Sequence, residues 1–297
     1  MTQTHSTAQA SSARQRVHRQ IEVLNLQSNV LDLTTTGFTV LPGILSNATI
    51  EQAKQAILQR VEKKTGKCID SASATRDDFA GMTYLAYLLY DDPVFEEILL
   101  AEKPLALMTY LLGESCLLSS LGCHFKGPGS EGELPLHSDN GNGMPSPYPS
   151  YAQVANINYA LTPYSLANGA LALVPGSHHW ARAPRAGETA LTGADANPAA
   201  VAMDIEPGDA VVWHGNTWHG SYPRTAPGIR MNIAVYMCRQ YVQTQESHVG
   251  DIPDAAARRQ ANDERFNVLL GAKQPYGWRE EGPDYDVMAR NPRGLYD

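Results

Sequence analysis

The sequence predicts an α+β protein whose second half is an antiparallel β-sandwich or barrel. Apolar residues recur at helical spacing through much of the chain before Cys116. Beyond Cys116, short runs of β-forming residues alternate with clusters of Gly, Pro and Asn. Strands at this density without helices between them are typical of antiparallel sheets. The 297 residues are enough for two average domains or for one large barrel, and no linker divides them.

The N-terminal half is predicted to be mainly helical. Residues 1–16 are rich in Ser, Thr, Gln and Ala, and we expect them to form a flexible tail. Helices are expected at Val17–Leu26 and at Asn47–Lys64, where apolar residues recur every three or four positions. A short strand, Phe38–Leu41, lies between these helices and ends at a Pro-Gly turn. Residues 83–113 predict two more helices.

The β core is predicted to begin near residue 116. Its candidate strands are rich in Val, Ile, Leu and aromatic residues, and they are Cys116–Lys126, Gln153–Leu161, Ala170–Val174, Val201–Ile205, Ala210–His214 and Met231–Arg239. We therefore expect one domain at 17–240. Residues 241–297, with a helix near Asp254–Leu270, are expected to form an extension that packs on or covers the core.

The composition argues against nucleic-acid and membrane partners. The chain has 23 Lys and Arg against 31 Asp and Glu, a formal net charge of −8, and an acidic surface repels phosphate backbones and anionic lipids. No apolar stretch approaches the roughly 20 residues of a spanning helix, and the N-terminus lacks the apolar block of a secretory signal. A small molecule is the expected partner, and a homodimer is compatible with this composition.

The four cysteines, Cys68, Cys116, Cys123 and Cys238, are too few and too scattered for a disulfide scaffold or a CxxC zinc site. We therefore expect a reduced, cytoplasmic protein. A metal ion in such a protein has to be held by His and carboxylate side chains.

The first candidate metal ligands are His137 and Asp139. Residues i and i+2 of an extended chain project to the same side, so this imidazole and this carboxylate can reach one divalent ion. An HxD triplet alone is a weak signal, because such triplets are common by chance.

A second histidine follows the apolar strand that begins after Pro207-Gly208. His219 lies just beyond the end of this strand, before Gly220 and Ser221, and His214 is a rival ligand five residues earlier. Two His and one carboxylate form the facial triad of non-haem Fe(II) oxygenases. We favour His219, because the end of a strand before a Gly-Ser turn is typical of the rim of a site.

Arg230 begins an apolar strand eleven residues after His219. A cation at such a position is costly to bury unless an anion meets it, and a carboxylate can pair with both sides of a guanidinium. An internal salt bridge is the alternative interpretation. The complete pattern of HxD, a distant His and this Arg is far more specific than any of its parts.

The chain resembles the phytanoyl-CoA dioxygenase family of Fe(II)/2-oxoglutarate-dependent oxygenases over roughly residues 33–240. The matching motifs are Gly37–Gly43 before a helix, His137-Ser138-Asp139, Ala167–His178, Pro207-Gly208-Asp209, His219-Gly220-Ser221 and Arg230. The resemblance implies a double-stranded β-helix, or jelly-roll, core with helices packed on one side.

The resemblance also implies the cofactors Fe(II), 2-oxoglutarate and O₂. The iron would be held by His137, Asp139 and His219, and Arg230 would bind the distal carboxylate of 2-oxoglutarate. The chain departs from the family at Leu134, where many members carry a polar residue three positions before the first His. Three residues are candidates for the missing polar contact: Asn156, Tyr159 and Ser221. We interpret His178 and His179 as structural or surface residues.

The expected reaction is oxidation of a small apolar or amphipathic metabolite, with release of succinate and CO₂. Related halogenases replace the carboxylate ligand with a small residue, so Asp139 favours hydroxylation, desaturation or rearrangement. One interpretation places Met144, Tyr148, Tyr151 and Trp218 in the lining of an apolar pocket, and a proline-ordered surface loop explains the first three equally well.

Several alternatives remain open on the sequence. They are an acyl-CoA hydroxylase of the same family, a cupin-like protein with another metal or none, a non-catalytic binding protein on an oxygenase scaffold, and a zinc hydrolase. No HExxH motif supports the hydrolase, and a cupin would not need Arg230 in this register.

Overall fold

A computed structural model describes residues 12–128, 132–141, 143–248, 253–260, 263–272 and 278–286. Within these ranges no helix is long and apolar enough to cross a bilayer.

The described part of the chain has seven α-helices, which are α1 (Ala13–Val23), α2 (Gln27–Thr35), α3 (Asn47–Thr65), α4 (Pro93–Leu99), α5 (Glu102–Leu112), α6 (Asp254–Gln260) and α7 (Glu264–Leu269). Polar side chains cap the starts of several. The Ser12 hydroxyl accepts a hydrogen bond from the Gln15 amide at α1, and the Ser46 hydroxyl accepts one from Thr49 at α3. Gly66, with φ of 71°, ends α3 in the left-handed conformation that glycine tolerates.

The strands are β1 (Phe38–Leu41), β2 (Tyr84–Leu85), β3 (Leu117–Lys126), β4 (Leu134–His137), β5 (Val154–Ala160), β6 (Leu171–Leu173), β7 (Val201–Ala202), β8 (Ala210–His214), β9 (His219–Ser221), β10 (Arg230–Cys238), β11 (Trp278–Arg279) and β12 (Gly282–Pro283). A six-stranded sheet has the order β1-β8-β5-β10-β3-β2, and a four-stranded sheet has the order β4-β9-β6-β7. The pairs within both sheets are antiparallel.

The six-stranded sheet has two chemically different faces, because side chains alternate along each strand. On β10, Met231, Ile233 and Val235 join the main hydrophobic core together with residues of the helices. Arg230, Asn232, Ala234 and Tyr236 alternate with these residues, so they project toward the four-stranded sheet. The helices thus cover one face of the large sheet, and the space between the two sheets is left for a site.

This architecture confirms the predicted α+β fold with a jelly-roll core and helices on one side. Three local predictions were wrong. Residues 13–16 belong to α1 rather than to a tail. The region predicted as two helices at 83–113 begins with β2, which pairs with β3, and the helix expected at Asp254–Leu270 is the pair α6 and α7. Residues 1–11 of the predicted tail lie outside the described residues.

The prediction also omitted α2, β4 and β9. The two strands are short, at four and three residues, and β4 contains Pro135. Their apolar runs are therefore too brief to give a period-two signal. These omitted strands carry the two candidate histidine ligands.

Candidate active site

A bulged strand pair places the two histidines side by side. Leu134 is paired with Ser221 and His137 with His219, so β4 contains one more residue than β9 between these pairs. At the bulge the β4 backbone lies so close to Gly220 that a Cβ there would clash with the Leu134 carbonyl oxygen. The result is a distance of 4.2 Å between the imidazole ring centroids of His137 and His219.

Both imidazoles are oriented by backbone carbonyls. His137 Nδ1 lies 3.0 Å from the Pro135 carbonyl oxygen, and His219 Nδ1 lies 3.0 Å from that of Thr217. Carbonyl oxygens only accept hydrogen bonds, so each Nδ1 carries the proton and each Nε2 presents a lone pair. This arrangement, with the second ring nitrogen bonded to a carbonyl, is typical of histidines that bind metals.

Asp139 completes the group from the turn after β4. The ligand atoms of His137, Asp139 and His219 all lie within 4.8 Å of one another, and Asp139 Oδ1 is 3.7 Å from His219 Nε2. Two ligands that are each about 2.1 Å from one ion lie at most about 4.2 Å apart, so this last pair fits a shared ion. Within the part of the chain that the structure describes, no other group of three such residues has this geometry.

Asn156 on β5 fixes the carboxylate ligand. Its Nδ2 donates a 2.6 Å hydrogen bond to Asp139 Oδ2, which leaves Oδ1 on the side of the histidines. The Asp139 amide donates to the Gly215 carbonyl at 3.2 Å, so the backbone of the ligand is held as well. Asn156, predicted as a contact near the co-substrate, thus contacts a metal ligand.

The electrostatic environment keeps the buried His219 imidazole neutral. Burial lowers the pKa of His219 to about 4, although the Asp139 carboxylate acts in the opposite direction. His219 is therefore ready to bind a metal at neutral pH without losing a proton.

Arg230 is a buried cation whose hydrogen bonds are incomplete. One Nη donates to the Gly169 carbonyl and the other lies 3.4 Å from Asn232 Oδ1, while Nε is buried with no partner in the part of the chain that the structure describes. Its guanidinium carbon is 4.8 Å from the centre of the Tyr164 ring. Of the salt bridges among the described residues, none involves Arg230, so the alternative of an internal ion pair finds no support there.

Lys126 is a second buried cation that the sequence analysis missed. The register of the six-stranded sheet pairs Lys126 on β3 with Arg230 on β10. Lys126 Nζ donates to Ser221 Oγ at 2.7 Å and lies 3.4 Å from the Ser221 carbonyl. Ser221, on the same strand as His219, thus lies beside the cationic end of the site. A lysine inside an apolar strand was the available signal, but its significance depends on the strand pairing.

Tyr159 is not at the site, and its predicted role in co-substrate binding was wrong. It alternates with Asn156 and Asn158 on β5, so its ring enters the core beneath the helices and its hydroxyl donates to the Ile98 carbonyl at 3.1 Å. The rival ligand His214 is also elsewhere. Its ring accepts a hydrogen bond from the Asn216 amide and lies 5.6 Å from the ring of His178.

His178 and His179 hold the end of α2 rather than a metal. Both rings lie within hydrogen-bond distance of the Thr34 carbonyl oxygen, at 3.2 and 3.1 Å. His178 also packs against Gly37, where a Cβ would overlap the imidazole. The motif segments 175–178 and 37–43 thus contact each other where α2 packs on the jelly roll.

The triad and Arg230 line one cavity of about 310 Å³ between the two sheets. Its remaining lining residues are both polar and apolar, and they are Tyr84, Ser120, His124, Leu134, Asn156, Asn158, Leu171, Trp213, Gly220, Ser221, Ala234, Tyr236 and Gln245. Met144, Tyr148, Tyr151 and Trp218, considered on the sequence as the lining of an apolar pocket, are not among the residues around this cavity. Trp218 is 1% exposed, and its indole nitrogen donates to the Arg182 carbonyl.

The fold and the site define a jelly-roll oxygenase with a His–Asp–His metal centre and a buried cationic end. The family model of phytanoyl-CoA dioxygenase (PhyH) matches residues 33–232. The chain belongs to this family, and it is a non-haem iron, 2-oxoglutarate-dependent dioxygenase, as the sequence predicts.

Two curated relatives are named as dioxygenases. Dioxygenase FUM3 of Gibberella moniliformis is 24% identical over 71% of this chain and 71% of its own length. Dioxygenase cdmD of Talaromyces verruculosus is 36% identical over a shorter segment, 31% of this chain and 28% of its own.

Solved structures show the same fold at low sequence identity. HygX from Streptomyces hygroscopicus, determined with nickel and 2-oxoglutarate, has a TM-score of 0.58 and 18% identity and covers 73% of this chain and 88% of its own. SnoK, a carbocyclase from nogalamycin biosynthesis, has a TM-score of 0.54 and 21% identity over 75% of this chain and 88% of its own.

Proposed function

We propose that His137, Asp139 and His219 hold the Fe(II) of this dioxygenase through two Nε2 atoms and Oδ1. The donor set supports the assignment, because two neutral imidazoles and one carboxylate suit non-haem iron and leave coordination positions for other ligands. The hydrogen bonds from each Nδ1 and from Asn156 orient all three donors before the metal binds.

We further propose that Arg230 and Ser221, which line the cavity, bind the distal carboxylate of 2-oxoglutarate. The observation that carries this assignment is the buried Nε of Arg230, which has no partner among the described residues although the side chain is enclosed. A buried donor without an acceptor is costly, and a ligand carboxylate removes that cost. Lys126, opposite Arg230 in the sheet, is not among the residues around the cavity and adds positive charge behind Ser221, to which it donates a hydrogen bond.

The iron, when bound with 2-oxoglutarate and O₂, supplies the oxidant, and 2-oxoglutarate leaves as succinate and CO₂. The protein contributes position and protection from water. Arg230 fixes one end of the co-substrate, Asn156 keeps Asp139 directed at the metal, and the two sheets enclose the site.

The outcome at the substrate is an oxidation that does not transfer halide. Asp139 occupies the position that related halogenases leave open, which supports hydroxylation, desaturation or rearrangement. The fold also occurs in a carbocyclase and in an epimerase of nogalamycin biosynthesis, which supports keeping these outcomes open. A cytoplasmic location and a homodimer stay predictions.

An anaerobic titration tests the assignment. Fe(II) and 2-oxoglutarate added to metal-free protein should give a weak visible charge-transfer absorption band. The band should be lost in His219→Ala, and in Arg230→Ala it should require far more 2-oxoglutarate. Absence of the band in the unchanged protein contradicts the cofactor assignment. Loss of the band in His214→Ala together with its retention in His219→Ala would show that the ligand is His214.

A further inference from the structure

The cavity has a second end, opposite Arg230, that also carries polar side chains. In the proposed arrangement 2-oxoglutarate does not occupy this end. Tyr236 lies six residues after Arg230 on β10, which is about 20 Å along an extended strand. Tyr236 is paired with Asn156, the residue that holds the metal ligand Asp139. The candidate iron position is thus close to the Tyr236 end, and 2-oxoglutarate would extend from it toward Arg230. Space beyond the metal, near Tyr236, is left for the substrate.

Four residues line this second end: Tyr84, Ser120, Tyr236 and Gln245. Each carries a hydrogen-bonding group, and none carries a formal charge at neutral pH. Burial, followed by the Asp139 carboxylate, raises the pKa of Tyr236, so its hydroxyl stays protonated and can donate. Together these four residues form what we call the neutral polar subsite.

Backbone hydrogen bonds hold Gln245 in place at the mouth of this subsite. The backbone amide of Gln245 donates to Ser119 Oγ at 3.0 Å, and the backbone amide of Glu246 donates to the Ser119 carbonyl at 2.7 Å. The buried Glu246 carboxylate accepts hydrogen bonds from the amides of Tyr87 and Leu121 at 2.7 and 3.0 Å. This anchor ties the segment after β10 to the edge of the large sheet.

The hydrogen bonds of Gln245 leave its donors available. Ser120 Oγ donates to Gln245 Oε1 at 2.8 Å. This hydrogen bond uses the carbonyl oxygen of the side-chain amide and distinguishes it from the amide nitrogen. Gln245 is exposed and is one of the residues that line the cavity, and its Nε2 has no hydrogen-bond partner among the described residues. Tyr84 is fixed as well, because its phenol covers Gly122 so closely that a Cβ at this position would overlap it.

We propose that the neutral polar subsite binds the substrate, and that the substrate is a small uncharged molecule with hydroxyl or carbonyl oxygens around the reacting carbon. This inference rests on the proposed function. The Gln245 amide and the Tyr236 hydroxyl donate to substrate oxygens. A saturated acyl chain offers these donors no acceptor, so it gains no hydrogen bond from them. The cavity of about 310 Å³ is near the lower limit of about 300 Å³ for ligand sites and also has to hold 2-oxoglutarate.

A substrate screen scored by succinate release tests the class. The panel contains uncharged polyhydroxylated rings and cyclic hydroxyketones, with fatty acids, acyl-CoA thioesters and primary amines of similar carbon number. We expect stimulation above the substrate-free rate only from the uncharged oxygenated members. Stimulation by only the other groups, or by no member, overturns the proposal. The charge-transfer band of Fe(II) and 2-oxoglutarate, recorded first, shows separately whether the proposed function holds.

Two substitutions test the residues with the most active compound. Gln245→Glu keeps an acceptor for Ser120 but removes both amide donors, and Tyr236→Phe removes one hydroxyl. Each should raise the KM for that compound about 3- to 10-fold, the effect of one hydrogen bond, with the charge-transfer band retained. The exposed residues Gln27 and Tyr285 give the matched controls Gln27→Glu and Tyr285→Phe. A KM within twofold of the unchanged protein in both test variants overturns the assignment.

Discussion

Removal of the Asn156 side chain should weaken iron binding without removing any ligand of the metal. In Asn156→Ala, Asp139 Oδ2 loses the 2.6 Å hydrogen bond that holds the carboxylate toward the histidines. The Asp139 side chain is only 13% exposed, so water replaces this bond poorly. A hydrogen bond to an ionised group contributes about 1.5–3 kcal/mol, which corresponds to an increase of about 10- to 100-fold in the Kd for Fe(II). Substitutions of residues that support metal ligands have effects of this size.

The assay is an anaerobic Fe(II) titration at saturating 2-oxoglutarate, followed by the charge-transfer band. Asn47, exposed at the start of α3, provides the control Asn47→Ala, which should bind Fe(II) like the unchanged protein. Asn156→Asp should be weaker still at neutral pH, because two adjacent carboxylates repel each other. A Kd in Asn156→Ala within threefold of the unchanged protein would show that Asp139 is oriented without this bond, and our account of the metal centre would be wrong.

Three other predictions concern the co-substrate, the strand pair and acid stability. Arg230→Ala should raise the KM for 2-oxoglutarate at least about 30-fold, whereas the exposed control Arg19→Ala should leave it unchanged. A KM in Arg230→Ala equal to that of the unchanged protein would refute the role of Arg230 in binding the co-substrate. Gly220→Ala should lower the free energy of unfolding by about 1–3 kcal/mol and weaken Fe(II) binding, because a Cβ there displaces β4. Urea unfolding measures the first effect, and the iron titration measures the second. Burial lowers the pKa of His214 to about 3 from about 6.5 in the unfolded chain, so its contribution to stability is complete above pH 6.5 and is lost as the pH falls toward 3. In metal-free protein, His214→Gln should reduce the slope of unfolding free energy against pH by about 1.4 kcal/mol per unit between pH 6 and 4; an unchanged slope contradicts a neutral, buried His214.

The sequence was sufficient for the residues whose chemistry is local or whose motif is familiar. His137 and Asp139 are two positions apart, and that spacing alone predicts a common direction. The preference for His219 over His214 came from its place at a strand end, and the structure brings His219, not His214, to the other two residues. In the long strands, periodicity located the elements within a few residues, since many side chains contribute to the signal.

The sequence could not identify residues whose role depends on strand pairing. Asn156 and Tyr159 were equivalent candidates on one strand, yet the three-residue separation places them on opposite faces of the sheet. Deciding between them required knowledge of which face the helices cover. Lys126 gained its role only from the register that pairs it with Arg230, and no local pattern contains that register.

The substrate prediction was limited in the same way, because the lining of the cavity also depends on strand pairing. Aromatic and methionine residues in a proline-rich loop suggested an apolar pocket, because composition was the only available guide. The residues that line the cavity beyond the metal come instead from alternate positions of β3 and β10, from β2 and from the segment after β10. Each is unremarkable in its own stretch of sequence. Tyr236 is one aromatic residue in an apolar strand, and Gln245 is one amide in a polar segment. Their convergence in one cavity with the metal centre is the basis of our proposal that they bind the substrate, and it narrows the expected apolar or amphipathic metabolite to an oxygenated one.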